Sequence, residues 1–184
     1  MRVIVAADAS SRGIGCNGTL PWKLPTDMTY FRRITAKSIL IMGRKTWTSI
    51  GAKPLPGRTC LVISSTLPPS DTVFPTLDAA LASISASEDR QVWVIGGSRL
   101  YEQAMRHPRT SHIHLTIVSP PMHIPYDTFL PEIPADSFAL ACPDVLASYC
   151  REKGFLKDSS AALSFPRFKE DNGVDIEFQM YIRK

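Results

Sequence analysis

Several features that define other classes of protein are absent from these 184 residues. No apolar run approaches the roughly 20 residues that a membrane-spanning helix needs. The four cysteines form no CxxC pair and show no framework spacing, so they are expected to be reduced thiols. No Ser–His–Asp arrangement, no Cys–His arrangement and no set of metal-ligand residues can be recognised. These absences argue against a membrane protein, a disulfide scaffold and a metal centre.

A strong excess of charge of one sign is missing too. The chain carries 21 Lys and Arg against 17 Asp and Glu, which gives a formal net charge of +4. Basic residues occur singly or in pairs such as Arg32-Arg33 and Arg44-Lys45, never in a tract interleaved with aromatic residues. This pattern favours a small anionic partner and makes a nucleic-acid binder the least favoured alternative.

No targeting segment is recognisable at the N-terminus. The apolar run at residues 3–7 gives way to Asp8, and it is too short for the core of a signal peptide. The length and the 44% hydrophobic content are those of one globular domain. We therefore expect a single cytoplasmic domain over residues 1–184.

Hydrophobic patterning alternates between strands and helices. Short runs rich in Val and Ile, typical of buried strands, occupy residues 3–7, 38–42, 60–63, 92–95 and 113–118. Helical patterns occupy residues 27–34, 46–50, 77–83 and 98–107. The alternation predicts an α/β fold with a mostly parallel central sheet flanked by helices on both faces. Residues 174–182 alternate apolar and polar positions, which predicts an antiparallel C-terminal strand near the sheet edge.

Three segments do not fit this alternation. Residues 8–26 include Asn17-Gly18 and are interpreted as a long loop, which in a compact domain is usually functional. Residues 157–173 are polar and are interpreted as an exposed connection. His112-x-His114 could place two rings on one strand face and bind a metal, but a plain surface strand is favoured because no carboxylate or thiol stands nearby.

The first candidate binding motif follows the second predicted strand. Gly43 lies between that strand and a helix, whose free N–H groups can hold an anion. Arg44 and Lys45 add positive charge at the same place. An anion site and a solvated basic turn are equally compatible with this motif.

A second motif ends the fourth predicted strand. Gly96 and Gly97 would let the backbone approach a ligand closely, with Ser98 then capping the next helix. A tight turn that needs positive φ is the alternative. The glycine pair is not interpreted as the dinucleotide fingerprint, because no Gly-x-Gly-x-x-Gly pattern is recognised.

The third motif places an acid on an apolar helix face. Asp27 opens a predicted helix, where the dipole favours a carboxylate, and it shares a face with Met28 and Phe31. If this face lines a pocket, burial raises the pKa of the acid and makes it a candidate for proton transfer. Otherwise Asp27 is an ordinary first-turn acid. One such carboxylate beside two phosphate-binding motifs favours chemistry done by a cofactor that the protein orients.

Five motifs occur in a fixed order along the chain. They are Gly13-Ile14-Gly15, Leu20-Pro21-Trp22 with Asp27, Met42-Gly43-Arg44-Lys45-Thr46-Trp47, Pro54-Leu55-Pro56-Gly57-Arg58 and Ile95-Gly96-Gly97-Ser98-x-x-Tyr101. In this order and spacing they resemble the dihydrofolate reductase family, and Asp127-Thr128 with Pro131 resembles a further family motif. The resemblance runs from residue 3 to about residue 131 and returns in the final strand.

The resemblance implies an oxidoreductase that reduces 7,8-dihydrofolate to 5,6,7,8-tetrahydrofolate with NADPH, in one-carbon metabolism. Hydride would reach C6 and a proton would reach N5. Asp27 is similar to the acid that hydrogen-bonds the pterin ring, a two-point contact that fixes the ring, and Trp22 and Thr116 would hold waters beside it. The resemblance also implies a monomer that binds antifolate-type small molecules but neither nucleic acid nor membrane, with the adenosine of the cofactor held by roughly residues 38–106.

Binding residues are implied in the same way. The substrate side comprises Val5, Ala6, Asp27, Met28, Phe31, Arg32, Ile50, Leu55, Arg58, Ile95, Tyr101 and Thr116. The cofactor side comprises Ala7, Ile14, Gly43, Arg44, Lys45, Thr46, Ser64, Ser65, Gly96, Gly97, Ser98, Arg99, Leu100 and Tyr101.

Some of these residues have specific implied roles. Arg58 would pair with the α-carboxylate of the glutamate tail, and Arg44 would hold the 2′-phosphate of the cofactor. Thr46 would cap the helix that faces the pyrophosphate. A cis peptide between Gly96 and Gly97 would support the nicotinamide, and residues 13–26 would close over it.

Two positions depart from the family pattern. Asp8 stands where a neutral residue is more usual, and His114 stands where an aromatic residue is more frequent. Two further alternatives stay open at this point. One is a reductase of the same fold that acts on another pterin or pyrimidine ring, and the other is a non-catalytic nucleotide-binding module.

Overall fold

The computed structural model describes residues 1–120, 124–157, 164–170 and 173–184. The strands in these ranges are β1 (Arg2–Asp8), β2 (Gly13–Gly15), β3 (Ile39–Gly43), β4 (Thr59–Ile63), β5 (Val73–Phe74), β6 (Val92–Val94), β7 (His112–Ser119), β8 (Thr128–Phe129), β9 (Phe138–Leu140), β10 (Arg167–Lys169) and β11 (Asp175–Arg183). The helices are α1 (Pro25–Ile34), α2 (Arg44–Ser49), α3 (Leu77–Ser83), α4 (Ser98–Arg106) and α5 (Pro143–Glu152).

The main sheet has the strand order β10-β11-β7-β1-β6-β3-β4-β5. Pairing is parallel from β7 through β1, β6, β3 and β4 to β5. β11 runs antiparallel to β7, and both β9 and β10 pair antiparallel with the other edge of β11. β2 and β8 form a separate two-stranded ribbon. The predicted mostly parallel sheet with an antiparallel C-terminal strand is confirmed.

Helices cover both faces of the sheet because its inner strands are apolar on both sides. One face packs against α3 and α4 through residues such as Leu81 and Leu100. The opposite face packs against α1 and α5 through residues such as Tyr30 and Leu146. β11 alternates buried and partly exposed positions, as predicted for a strand near the edge. None of the described helices is long and apolar enough to cross a membrane.

Three predictions about the starts of helices are wrong. α1 begins at Pro25 rather than Asp27, because proline suits the first turn, where its missing N–H leaves no helical hydrogen bond unmade. α2 begins at Arg44, so Thr46 lies inside the helix and does not cap it. Ser98 does not cap α4 either, since its hydroxyl donates to the Phe129 carbonyl at 2.6 Å. In both of the last two cases the N-cap residue is a glycine with extended backbone.

The interpretation of the two histidines as part of a surface strand is wrong. β7 lies between β1 and β11 inside the sheet, and His114 on it is fully buried. Its Nδ1 lies 2.7 Å from the Tyr30 hydroxyl. Burial holds the pKa of His114 well below its usual value, so the ring is neutral. The fourth histidine of the sequence, at position 123, lies outside the described residues.

The C-terminal third contains elements that patterning did not predict. α5 begins with Pro143 and has Asp144 in its first turn, which are helix-start signals that were not recognised. Residues 157–173 are not simply an exposed connection, because they include β10 and the buried Glu170. Residues 158–163 and 171–172 of that segment lie outside the described ranges.

Candidate active site

Asp27 lies where the first turn of α1 meets β7. The hydroxyl of Thr116 on β7 donates a 2.7 Å hydrogen bond to Asp27 Oδ1. Thr116 is paired with Ala6 of β1, near the carboxyl ends of these two parallel strands. Ligands in open α/β sheets bind at this end, so the pair stands where a substrate site is expected.

The surroundings of Asp27 change its affinity for protons. Burial is the largest influence and raises the pKa of Asp27 to about 6. The hydrogen bond from Thr116 opposes the rise because it stabilises the charged form, whereas the negative charge of Glu170 adds to it. A carboxyl with a pKa in this range exchanges its proton near neutral pH, which suits general acid–base chemistry.

A cavity of about 360 Å³ opens beside Asp27. It is lined by Leu20, Trp22, Lys23, Leu24, Pro25, Asp27, Met28, Thr29 and Arg32. Four residues predicted for the site therefore share this cavity, namely Trp22, Asp27, Met28 and Arg32. A larger groove of about 610 Å³ runs over β10 and β11, and none of the predicted site residues lines it.

Trp22 offers a hydrogen-bond donor beside the acid. Its indole Nε1 is buried and has no acceptor within the described residues. Its ring meets the Tyr126 ring edge-on, with the centroids 5.9 Å apart. A buried donor without an acceptor is costly, so this atom fits a water or ligand acceptor within the cavity.

Arg58 is held in place by neutral groups. Its Nε donates to the Pro56 carbonyl and one guanidinium nitrogen donates to Thr35 Oγ1, both at 3.1 Å. The guanidinium lies over the Phe31 ring, 5.8 Å from its centroid. Partial burial lowers the pKa of Arg58 from its usual value. Among the described contacts Arg58 has no carboxylate partner, so a fixed cation is available for an anionic group.

The other predicted substrate residues surround this region from the sheet and the neighbouring loops. The partly buried ones pack against the core that also holds Tyr30 and Leu146; they are Ala6, Phe31, Ile50, Leu55 and Ile95. Val5 is buried on the other face of β1, so its side chain is turned away from this core. The Tyr101 hydroxyl donates to the Ile4 carbonyl at 2.9 Å and so supports β1 from the side of α4.

The glycine pair after β6 is closely packed. The peptide bond between Gly96 and Gly97 is cis, as the resemblance implies. Gly43 N–H donates to the Gly96 carbonyl at 2.7 Å, which joins the ends of β3 and β6. Gly96 has a φ of +130°, and a Cβ there would lie 3.1 Å from Thr46 Oγ1. A side chain at this position would be strained by the positive φ, and Thr46 would have to move by a few tenths of an ångström to make room for it.

Three predicted cofactor residues are exposed cations. Arg44 and Lys45 start α2, and Arg99 is the second residue of α4. None of the three forms an ion pair within the described part of the chain, although Lys45 is near enough to Asp127 to lower the pKa of that acid. Ser64 accepts from the Thr66 and Leu67 N–H groups and shapes the turn after β4. Ser65 beside it is exposed.

The remaining cofactor-side residues are apolar and buried. Ala7, Ile14, Leu100 and Tyr101 all belong to the core beneath α3 and α4. Ala7 on β1 and Ile14 on β2 lie in adjacent elements that contact each other. All four residues are therefore part of one core, and Ala7 and Ile14 belong to neighbouring elements of it.

The loop after β1 is anchored by Asp8. This acid accepts hydrogen bonds from Ser10, Ser11 and the Tyr126 hydroxyl. Burial alone would raise the pKa of Asp8, but these bonds outweigh it and lower the pKa to about 2. Asp8 is therefore a charged anchor for the loop.

Two residues of this region were not predicted from the sequence, and one match to a glycine motif was overlooked. Glu170 and Tyr126 carried no recognisable signal, because their partners are 144 and 118 residues away in the chain. Residues 13–18 do spell Gly-x-Gly-x-x-Gly, but they form β2 and the turn after it. The dinucleotide fingerprint requires a strand that leads into a helix, so this match has no such meaning.

Comparison with known proteins agrees with this geometry. A sequence model of the dihydrofolate reductase family matches residues 1–147. A dihydrofolate reductase of Rattus norvegicus is 39% identical over 170 residues, which cover 82% of this chain and 90% of the rat protein. One from Heliothis virescens is 38% identical over 74% of this chain and 82% of its own length, and one from Pneumocystis carinii is 31% identical over 98% and 95%. The chain therefore belongs to the dihydrofolate reductase family, an oxidoreductase family that reduces dihydrofolate to tetrahydrofolate.

Proposed function

We propose that this site reduces 7,8-dihydrofolate to 5,6,7,8-tetrahydrofolate with NADPH, and that Asp27 is its catalytic carboxyl. The observation that carries the proposal is the position of Asp27, which lines the cavity, accepts a hydrogen bond from Thr116 and lies in surroundings that raise its pKa to about 6. The family membership of the chain supports the same reaction.

Asp27 would bind and polarise the pterin ring. A carboxylate facing an amino-pyrimidine edge accepts two parallel hydrogen bonds, which fixes the ring in the cavity. The unpartnered Nε1 of Trp22 would hold a water between the acid and the ring. A proton shared by this network would reach N5, so that C6 accepts a hydride more readily.

The opposite end of the substrate would meet two arginines, of which Arg32 lines the cavity. Arg58 would pair with the α-carboxylate of the glutamate tail, and Arg32 would assist further out. Met28, Phe31, Ile50 and Leu55 would pack against the flat middle of the molecule. Val5 and Ile95 would offer backbone carbonyls to the pterin.

The residues around the glycine pair fit a phosphorylated nicotinamide cofactor. When bound, the reduced nicotinamide supplies the hydride. Gly96 packs against Thr46, and the cis peptide bond that joins it to Gly97 would support the nicotinamide ring. The unpaired cations Arg44, Lys45 and Arg99, together with Ser64 and Ser65, would hold the phosphate groups. A 2′-phosphate facing Arg44 is the reason to propose NADPH rather than NADH.

The proposal extends to domain organisation, oligomeric state and location. Residues 1–184 would act as one domain, with residues 38–106 holding the adenosine half of the cofactor. We propose a monomer in the cytoplasm that binds antifolate-type inhibitors and has no nucleic-acid partner.

The direct test is the oxidation of NADPH in the presence of dihydrofolate. Loss of the reduced-nicotinamide absorbance only when dihydrofolate is added supports the proposal. No turnover with dihydrofolate, but turnover with another pterin or pyrimidine, would favour a different reductase. Tight NADPH binding without turnover of any such ring would favour a nucleotide-binding module.

Arg44→Ala is expected to raise KM for NADPH about tenfold, because it removes one charge-assisted phosphate contact. KM for NADH should stay within about twofold, since that cofactor has no 2′-phosphate. Steady-state kinetics with both cofactors checks this, and Arg106→Ala on the far end of α4 is the matched control. Equal effects on the two cofactors would contradict the role of Arg44.

Arg58→Gln is expected to raise KM for dihydrofolate about tenfold with a smaller change in kcat, since a tail contact binds ground and transition states alike. The control is a dihydropterin substrate without a glutamate tail, whose kinetics should be the same in the variant and the wild type. If the truncated substrate is equally impaired, Arg58 supports the local fold and not the tail.

A further inference from the structure

The first turn of α1, which carries Asp27, is held by a residue that the sequence motifs do not include. The N-cap of α1 is Leu24, whose side chain cannot accept a hydrogen bond, and Pro25 follows it. The first free backbone donor of the helix is therefore the Thr26 N–H. Glu170 Oε1 accepts this N–H at 2.9 Å, from the opposite end of the chain.

Glu170 is placed for this contact by the C-terminal hairpin. It directly follows β10, and its own N–H donates to the Val174 carbonyl at 2.9 Å, just before β11. Only 7% of Glu170 is exposed, although it carries a carboxyl group. A carboxylate at a helix N-terminus is favoured by the helix dipole, so the hairpin supplies the cap that Leu24 lacks.

From this geometry we propose that Glu170 is a positioning residue for the reaction: its carboxylate fixes the first turn of α1 and sets a negative charge beside Asp27. This inference rests on the proposed role of Asp27. Thr26 and Asp27 are adjacent residues, so an acceptor on the Thr26 N–H also sets where the next side chain starts. The charge of Glu170 raises the proton affinity of Asp27, in addition to the effect of burial.

Other groups also face Asp27 and act on its protonation. Thr116 of β7 donates to it, and the charge of Asp27 is felt by Tyr30 on its own helix and by Tyr101 on α4. The cations Lys23 and Arg32 line the same cavity. Among the acids of the described residues, Glu170 is the one that raises the pKa of Asp27.

Two substitutions separate the charge of Glu170 from its hydrogen bond. Glu170→Gln keeps an oxygen acceptor for the Thr26 N–H but removes the charge, whereas Glu170→Ala removes both. Glu177→Gln is the matched control, since Glu177 lies on β11 of the same hairpin and pairs with Arg167 instead. The readouts are the pH profile of kcat/KM for dihydrofolate and the hydrogen-exchange protection of the Thr26 amide.

We expect Glu170→Gln to move the midpoint of the pH profile down by about half a pH unit and to keep the Thr26 amide protected. Glu170→Ala should show the same downward shift, lose the protection of Thr26 and lower kcat/KM further. Glu177→Gln should match the wild type in both readouts.

The inference is overturned if the profiles of Glu170→Gln and the wild type coincide, or if Thr26 stays protected in Glu170→Ala. Equal loss of kcat/KM in both variants at an unchanged midpoint would show a purely structural role and would overturn it as well. Absence of dihydrofolate turnover in the wild type would instead reject the proposed function, so the two failures are distinguishable.

Discussion

Asp27→Asn should lower kcat/KM for dihydrofolate at neutral pH by roughly a hundredfold or more, the usual scale for losing a positioned proton-transfer group. Asparagine keeps the oxygen that accepts from Thr116, so the geometry is preserved while the titrating proton is lost. In the wild type, turnover should fall as the pH rises through about 6, because the protonated fraction of Asp27 falls. The variant should lack this inflection and recover partly in acid, where the solvent protonates the substrate.

Rates of NADPH oxidation measured on both sides of that pH check this expectation. NADPH binding to Asp27→Asn, followed without substrate, should match the wild type, since the acid lies on the pterin side of the site. The exposed acid Asp71, replaced by Asn, is the matched control and should leave the profile unchanged. Unchanged turnover in Asp27→Asn, or a profile that retains the inflection, would rule out the role of this residue.

The same substitution should make the protein more stable at neutral pH. Folding raises the pKa of Asp27 from 3.8 to about 6, so the folded state favours the neutral acid. The stability linked to this proton is fully present below the unfolded pKa and is lost as the pH rises through the folded pKa. At neutral pH, Asp27→Asn is therefore expected to gain about 3 kcal/mol in the free energy of unfolding. Denaturant unfolding at several pH values measures it, and the gain should vanish in acid.

The parallel core of the fold could be predicted because its signals are local. The bounds of α3, Leu77–Ser83, follow from a capping threonine and a short apolar pattern. β3 is a run of buried aliphatic residues that ends at Gly43. Within such segments the hydrophobic pattern alone indicates the type of element. The strands, the alternation of strands and helices along the chain, and the two covered faces of the sheet can therefore be predicted from the sequence.

The errors fall where distant residues decide the outcome. His114 can be buried in the sheet because the Tyr30 hydroxyl, 84 residues earlier in the chain, forms a hydrogen bond with its ring nitrogen, so a polar residue on a strand did not mark a surface. Thr46 and Ser98 looked like capping residues, but glycines take the N-cap positions and Ser98 bonds to Phe129 instead. The role of Glu170 could not be predicted for the same reason, since its partner Thr26 is 144 residues away in the chain.

The site also has a part that could be predicted from the sequence and a part that could not. The motif around Asp27 and the glycine pair could be recognised from order and spacing along the chain. The contact between Asp27 and Thr116 could not, because it depends on how α1 is docked on β7. Two pairs fix that docking: Asp27 with Thr116 and, one helical turn later, Tyr30 with His114. The partners are spaced three residues apart on the helix and two on the strand, which matches one face of each element.

Gly13→Ala is expected to destabilise the protein by about 3 kcal/mol, at the upper end of the range for overpacking a closed site. A Cβ at Gly13 would lie 2.1 Å from Cγ of Tyr126, so the ring would have to move as a whole. The hydroxyl of Tyr126 donates to Asp8 at 3.0 Å, and its ring meets Trp22 edge-on. Displacing it would release the anchor of the loop after β1 and shift Trp22 beside Asp27. We therefore also expect kcat/KM for dihydrofolate to fall about tenfold.

Urea unfolding and steady-state kinetics measure the two effects, and a double-mutant cycle identifies their cause. Tyr126→Ala should be destabilising alone because it removes the contacts to Asp8 and Trp22. If the clash is the cause, adding Gly13→Ala to Tyr126→Ala should cost less than about 1 kcal/mol, since the colliding ring is gone. Additive losses would show instead that Gly13 is required for the backbone of β2, because removal of the ring would then bring no relief.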